Sequence, residues 1–176
     1  EIRILVGIGL GGGFGPGVLY HIFHCLMDCN LQFVDGKLQT PSDWGREVVD
    51  FSEPIGEREV FYFGHPEPVS LPRYIKGVKT VVFKLGNLPP WINEWFIKCI
   101  QLGFASPEAV KLGDSSIIPR DFIVSGLSTS AFFNKEKEAY TQANRYYVVK
   151  GREGGRDTTY TWHIIGLPKG ITGINC

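Results

Sequence analysis

Ile2-Arg3-Ile4-Leu5-Val6-Gly7-Ile8-Gly9-Leu10-Gly11-Gly12 opens the chain, and two folds compete for it. Residues 2–8 read as a strand and residues 16–29 as a helix, with Gly7, Gly9 and Gly12 at the spacing G-x-G-x-x-G. Phe33-Val34-Asp35 then reads as a second strand ending in an acid. A doubly wound dinucleotide-binding sheet uses this order, with a pyrophosphate at the helix N-terminus and the acid on the ribose. Three features oppose it. Glycine and proline crowd residues 11–17, so Pro16 starts the helix only after the third glycine and the phosphate loop is too long. Asp35-Gly36 lies between residues 31–34 and 37–39, where it suits a type I′ hairpin turn better than a ribose. No further strand-helix alternation follows, which a doubly wound sheet demands. The glycine run is therefore read as a loop between a strand and a helix. A self-contained dinucleotide module on Gly7, Gly9 and Gly12 is the weaker alternative.

The rest of the chain points to an α+β fold with a mixed, largely antiparallel sheet and helices packed on it. Short β-branched or aromatic runs at residues 31–34, 37–39, 48–51, 59–63 and 78–83 are separated by Gly, Pro and Asp. Residues 144–150 and 156–165 form the clearest hairpin, joined by Gly151-Arg152-Glu153-Gly154-Gly155. Alternation of Tyr147 and Val149, then of Tyr160, Trp162 and Ile164, predicts an aromatic face against a core or a subunit partner. Helices are predicted over residues 16–29, 90–102 and 119–132, each beginning at or near a proline. Asn134-Lys135-Glu136-Lys137-Glu138 lacks apolar positions and reads as an exposed loop.

At 176 residues, 43% of them hydrophobic, the chain is long enough for one core and reads as a single domain, residues 1–176. A formal net charge of zero offers no basic face for nucleic acid and no polybasic stretch for a membrane. Cys25, Cys29 and Cys99 fall inside helical runs, where free Cys acts as a small apolar residue, so a reduced, cytoplasmic setting is expected. His21, Cys25 and Cys29 share one helical face, with His24 nearby, but the third ligand is too far along the axis to close a tetrahedron on zinc. No metal site is therefore assigned. The start at Glu1 and the stop at Cys176, inside a Thr-Gly-Ile segment, suggest a piece of a longer protein.

Phe63-Gly64-His65-Pro66-Glu67-Pro68-Val69-Ser70-Leu71-Pro72-Arg73-Tyr74 reads as a stiff connection between two strands. Its three prolines hold φ near −65° and remove three donors. An imidazole, a carboxylate, a guanidinium and a phenol thus share one rigid corner. His65 and Tyr74 are candidates to move a proton, since His titrates near neutral pH. The competing reading is architectural, with His65 and Tyr74 as satisfied partners and Glu67 paired with Arg73.

The same stretch carries a resemblance. Val49-Asp50-Phe51-Ser52-Glu53-Pro54-Ile55-Gly56, then Tyr62-Phe63-Gly64-His65-Pro66-Glu67 and Leu71-Pro72-Arg73, resembles the second domain of saccharopine dehydrogenase-like (saccharopine reductase) proteins. The pattern continues through Pro89-Pro90-Trp91-Ile92-Asn93, Leu102-Gly103-Phe104-Ala105, Pro119-Arg120-Asp121-Phe122 and Thr172-Gly173-Ile174. The resemblance implies a sheet like that of the C-terminal domain of glyceraldehyde-3-phosphate dehydrogenase, serving substrate binding and dimer contacts. It also implies an N-terminal dinucleotide domain, absent from this chain, that binds NAD or NADP. The expected activity is oxidoreduction of an amino-acid-derived imine or secondary amine by a homodimer. The expected alternative is a non-catalytic relative using the fold for assembly or ligand binding. Substrates of that kind bear carboxylates, which bidentate Arg holds well, so Arg73 and Arg120 join Glu67 as candidate substrate ligands. For Arg120 the plainer reading is a pair with Asp121 or a neighbouring surface carboxylate.

Overall fold

Strand β1 (Ile2–Gly9) is buried along nearly its whole length, and so is its parallel neighbour β6 (Val81–Leu88). Continuous apolar runs of this kind belong at the centre of a sheet covered on both faces. In this computed structural model, which describes residues 1–9, 15–27, 30–138 and 142–166, the two strands form that centre. Strand β9 (Ala143–Glu153) runs antiparallel to β1, and β10 (Arg156–Gly166) runs antiparallel to β9. Across β6, β2 (Gln32–Val34) pairs with its first residue and carries β3 (Lys37–Gln39), while β5 (Glu57–Tyr62), the partner of β4 (Glu47–Asp50), pairs with its middle. The fold is α+β, with a mixed, mostly antiparallel open sheet.

Among the described residues five helices accompany the sheet: α1 (Pro16–Met27), α2 (Pro66–Tyr74), α3 (Trp91–Gln101), α4 (Pro119–Thr129) and α5 (Ala131–Glu138). The larger core joins Ile2, Ile4 and Val6 to Leu19 and Phe23 of α1 and Phe96 of α3. Phe23 and Phe96 meet edge to face at 5.4 Å, a favourable ring geometry. Leu5 points to the opposite face, where Phe51, Ile55, Val60 and Leu88 form a second, smaller core.

The opening glycines serve this second core. Gly7 and Gly86 are register partners in β1 and β6. A Cβ at Gly7 would come within 3.2 Å of the Phe51 ring, and one at Gly86 within 2.3 Å of the Glu59 carbonyl oxygen. Glycine here lets a covering layer approach the sheet, which is a known use of the residue within strands. Because β1 is parallel and β2 antiparallel to β6, β1 and β2 run in opposite directions. The β1-α1-β2 unit therefore lacks the parallel crossover of a dinucleotide fold. Gly12 lies outside the described residues. Asp35 and Gly36 have φ of 51° and 80°, the left-handed pair that a type I′ turn needs.

Four expectations change. The proline-rich connection between β5 and β6 takes the form of a helix, α2, which the sequence reading did not foresee. The helix expected over residues 119–132 ends at Ser130, whose ψ of 118° leaves the helical region. The charged run beginning at Asn134 is the end of α5, not a loop. The long hairpin turns at Gly154 and Gly155 alone, with φ of 57° and 80°, so residues 151–153 extend β9. A detached hairpin, β7 (Val110–Leu112) and β8 (Ser115–Ile117), was not anticipated. Cys29, Cys176 and the Thr172-Gly173-Ile174 motif lie outside the described residues.

Candidate functional site

Helix α2 begins where β5 leaves the sheet, and its sequence makes a start there easy. The first four N–H groups of any helix lack partners within it, so Pro66 and Pro68 remove donors that were unsatisfied anyway. His65 caps the helix in extended conformation, with φ −150° and ψ 157°. Its ring stacks on Phe83 of β6, centroids 4.0 Å apart and planes 13° apart. Its Nδ1 meets the Glu67 carboxylate. With Nδ1–H donated to that carboxylate, Nε2 remains as the acceptor that would take a proton. Burial pushes the Glu67 carboxyl up, but the hydrogen bond from His65 and the charges of His65 and Arg145 outweigh it and hold it below the usual range.

Glu67, Leu71 and Ile75 form one wall of a trough of about 700 Å³. Ile2 and Ile4 of β1 and Tyr147 and Val149 of β9 form its floor, and Trp162 and Ile164 of β10 close it. The volume lies within the range of small-molecule sites, and the surface is mostly apolar, with Glu67 at one end and Thr161 and His163 along β10. Trp162 is 52% exposed there. A histidine–carboxylate pair thus stands beside a greasy channel open to solvent, with Glu67 lining it.

The structure brings together only two of the five candidate residues, His65 and Glu67. Arg73 and Tyr74 lie in the last turn of α2, about 10 Å along the axis from Glu67. Tyr74 is 83% exposed. The expected Glu67–Arg73 pair is replaced by Glu67–His65. Arg120 stands at the start of α4, its guanidinium 5.8 Å from the Tyr20 ring centre. The expected Arg120–Asp121 pair does not form: Asp121 instead accepts a 2.9 Å hydrogen bond from the Tyr20 hydroxyl. That hydrogen bond, with burial, pushes the Tyr20 hydroxyl up.

Arg145 escaped the sequence reading. It shares the parity of Tyr147 and Val149 on β9, so a guanidinium occupies the apolar face of a strand, and that break in pattern was legible. Cys25 and Cys99 are buried and unoxidised, as small apolar residues are. Burial pushes the Cys99 thiol up to about 11. Cys25 Sγ lies 3.4 Å from His21 Nε2, and no cluster of three metal-ligating side chains occurs among the described residues.

A second polar cluster lies on the opposite face, where Glu47 of β4 receives Arg3 and Lys84. Lys84 also donates to the Gly45 carbonyl at 2.6 Å and sits 4.6 Å from the Tyr62 ring centre. All its charges are paired, so it clamps β4 to the sheet. Among the described residues no helix is long and apolar enough to cross a membrane. No family model matches the chain, and no curated protein matches it significantly.

Proposed function

We propose that the chain is the substrate-binding and dimerisation domain of a saccharopine dehydrogenase-like NAD(P)-dependent oxidoreductase acting on an amino-acid-derived imine or secondary amine. The nucleotide domain lies outside this sequence and brings NAD or NADP to the site. The observation that carries the reading is the His65–Glu67 pair beside the trough. Hydride transfer to an imine needs a proton for the nitrogen, and a carboxylate-oriented imidazole next to an apolar channel supplies one. The motif resemblance and the mixed, mostly antiparallel sheet agree with it. The dimer contact is assigned to the outer edge of β10, where the sheet order ends. Buried free thiols favour a cytoplasmic setting.

The dispersal of Arg73, Tyr74 and Arg120 away from His65 favours a second reading, a non-catalytic relative that keeps the fold for assembly or ligand binding. The two part on full-length protein assayed for NADH or NADPH oxidation with lysine-derived and polyamine-derived imines. Turnover is expected, and His65→Gln should lower it about 10²-fold with little change in melting temperature. Equal turnover with a large loss of melting temperature would make the corner architectural. The 176-residue chain titrated with NADH should show no saturable nicotinamide fluorescence. Saturable binding would restore the dinucleotide site on Gly7, Gly9 and Gly12.

A further inference from the structure

Two opposite charges from different elements stand at one end of the trough, Glu67 lining it and Arg145 beside it. Glu67 reaches it from the first turn of α2. Arg145 reaches the same end from β9, in register with Val6 of β1 and Ile164 of β10, and strand alternation puts it on the face of Tyr147 and Val149. Its neighbour Tyr147 on that face and its partner Ile164 line the trough, which Arg145 adjoins without lining. The Arg145 guanidinium is half-buried and makes no ion pair or hydrogen bond among the described residues, unlike those of Arg3, Arg46 and Arg152. Beyond this end the walls are mostly aliphatic or aromatic, with Thr161 and His163 of β10 also lining them. Thr161 and His163 of β10 have the opposite parity, and the His163 ring stacks on Tyr146, 4.3 Å between centroids, on the other face of the sheet.

We infer that the trough is an α-amino-acid site in which Glu67 takes the ammonium, Arg145 takes the carboxylate, and an apolar or aromatic side chain lies along Leu71, Tyr147 and Trp162. An arginine fork matches a carboxylate in two parallel bonds, and a carboxylate suits an ammonium. Only a ligand carrying both groups on adjacent atoms uses both charges at once. A second carboxylate on the ligand's tail would lose its hydration against Ile2, Ile4 and Leu71, so acidic amino acids are disfavoured. This inference rests on the trough being the substrate site of the function proposed above, and it narrows that substrate to one with an apolar arm.

Calorimetric titration of the chain without nucleotide tests it, with L-phenylalanine, phenethylamine, 3-phenylpropionate and L-glutamate as probes. L-phenylalanine should bind at least tenfold tighter than either analogue that lacks one of its charges, and L-glutamate should give no heat. Arg145→Gln should bring L-phenylalanine down to the level of phenethylamine and leave phenethylamine unchanged. Glu67→Gln should bring it down to the level of 3-phenylpropionate and leave that probe unchanged. If Arg145→Gln fails to fold, Arg145→Lys, which keeps charge but not the fork, should retain binding weakened severalfold. Equal affinity for phenylalanine and phenethylamine, binding of glutamate, or indifference to both substitutions would overturn the assignment. So would a second copy of the chain filling the trough, seen as a dimer that phenylalanine neither enters nor dissociates. Full-length protein without nicotinamide-dependent turnover would remove the proposed oxidoreductase while leaving this binding pattern; turnover without the pattern would remove the assignment alone.

Discussion

Gly86 has no room for a side chain. Its missing Cβ would stand 2.3 Å from the Glu59 carbonyl oxygen, a backbone atom that can move only with β5. Gly86→Ala should therefore cost about 3 kcal/mol in urea unfolding, the upper part of the usual overpacking range. Gly126, inside α4 with open space around it, should respond the other way, since Ala stabilises a helix interior by roughly 0.5–1 kcal/mol over Gly. An unchanged midpoint for Gly86→Ala would mean that β5 does not lie against β6 as described. Glu47 sets a second expectation. Burial pushes its carboxyl up, yet the hydrogen bonds from Arg3 and Lys84 prevail and hold it below the usual range. A depressed folded pKa gives stability that is present above the unfolded value of about 4.3 and is lost as pH falls through the folded value. The urea midpoint should thus fall between pH 5 and pH 3 more steeply for the native chain than for Glu47→Gln. At pH 7 Glu47→Gln should be the less stable, because it leaves the buried Lys84 ammonium short of its carboxylate.

Helix α2 shows how an element hides in its composition. Three prolines in nine residues argue for extended backbone, but two of them fall in the first turn, where a helix loses nothing by them. Only Pro72 is interior. It leaves the Pro68 carbonyl without its N–H and crowds it with the ring. Pro72→Ala should stabilise the chain by about 1 kcal/mol in thermal or urea unfolding, the relief of that clash being partly offset by the freer unfolded chain. A loss of stability would show that the ring packs usefully where it stands. The break between α4 and α5 was hidden differently: residues 119–132 look continuously helical, yet Ser130 turns extended and its hydroxyl accepts from the Phe133 N–H at 3.2 Å. A serine at such a place signals an N-cap only once the chain has bent there.

Among the described residues the sheet ends on one side in short strands and on the other in β10. Strand β10 spans eleven residues, with Tyr160 and Trp162 stacked at 6.0 Å and largely exposed. A long edge strand is an invitation to pairing that proteins normally blunt. Equilibrium sedimentation is expected to give a dimer mass, and Tyr160→Lys, which adds a charge on the edge strand outside the trough lining, should return a monomer with an unchanged circular dichroism spectrum. A native chain that sediments as a monomer at all concentrations would remove the dimer from the proposed function.

Features set by neighbours along the chain were legible before any coordinates. The buried runs of β1 and β6, the Asp35-Gly36 turn, the aromatic hairpin and the proline-led helix starts all follow from local sterics and from the period of apolar residues. The α+β class followed from their order. Contacts between distant segments were not legible, because nothing in a residue's own neighbours records what packs on it. Tertiary structure alone explains Gly7 and Gly86 by the layer above them, gives Glu67 to His65 instead of Arg73, and brings Arg145 from β9 to the mouth of α2. Those pairings depend on how faces meet once apolar surface leaves water, and that burial is the one interaction a linear pattern describes only by half.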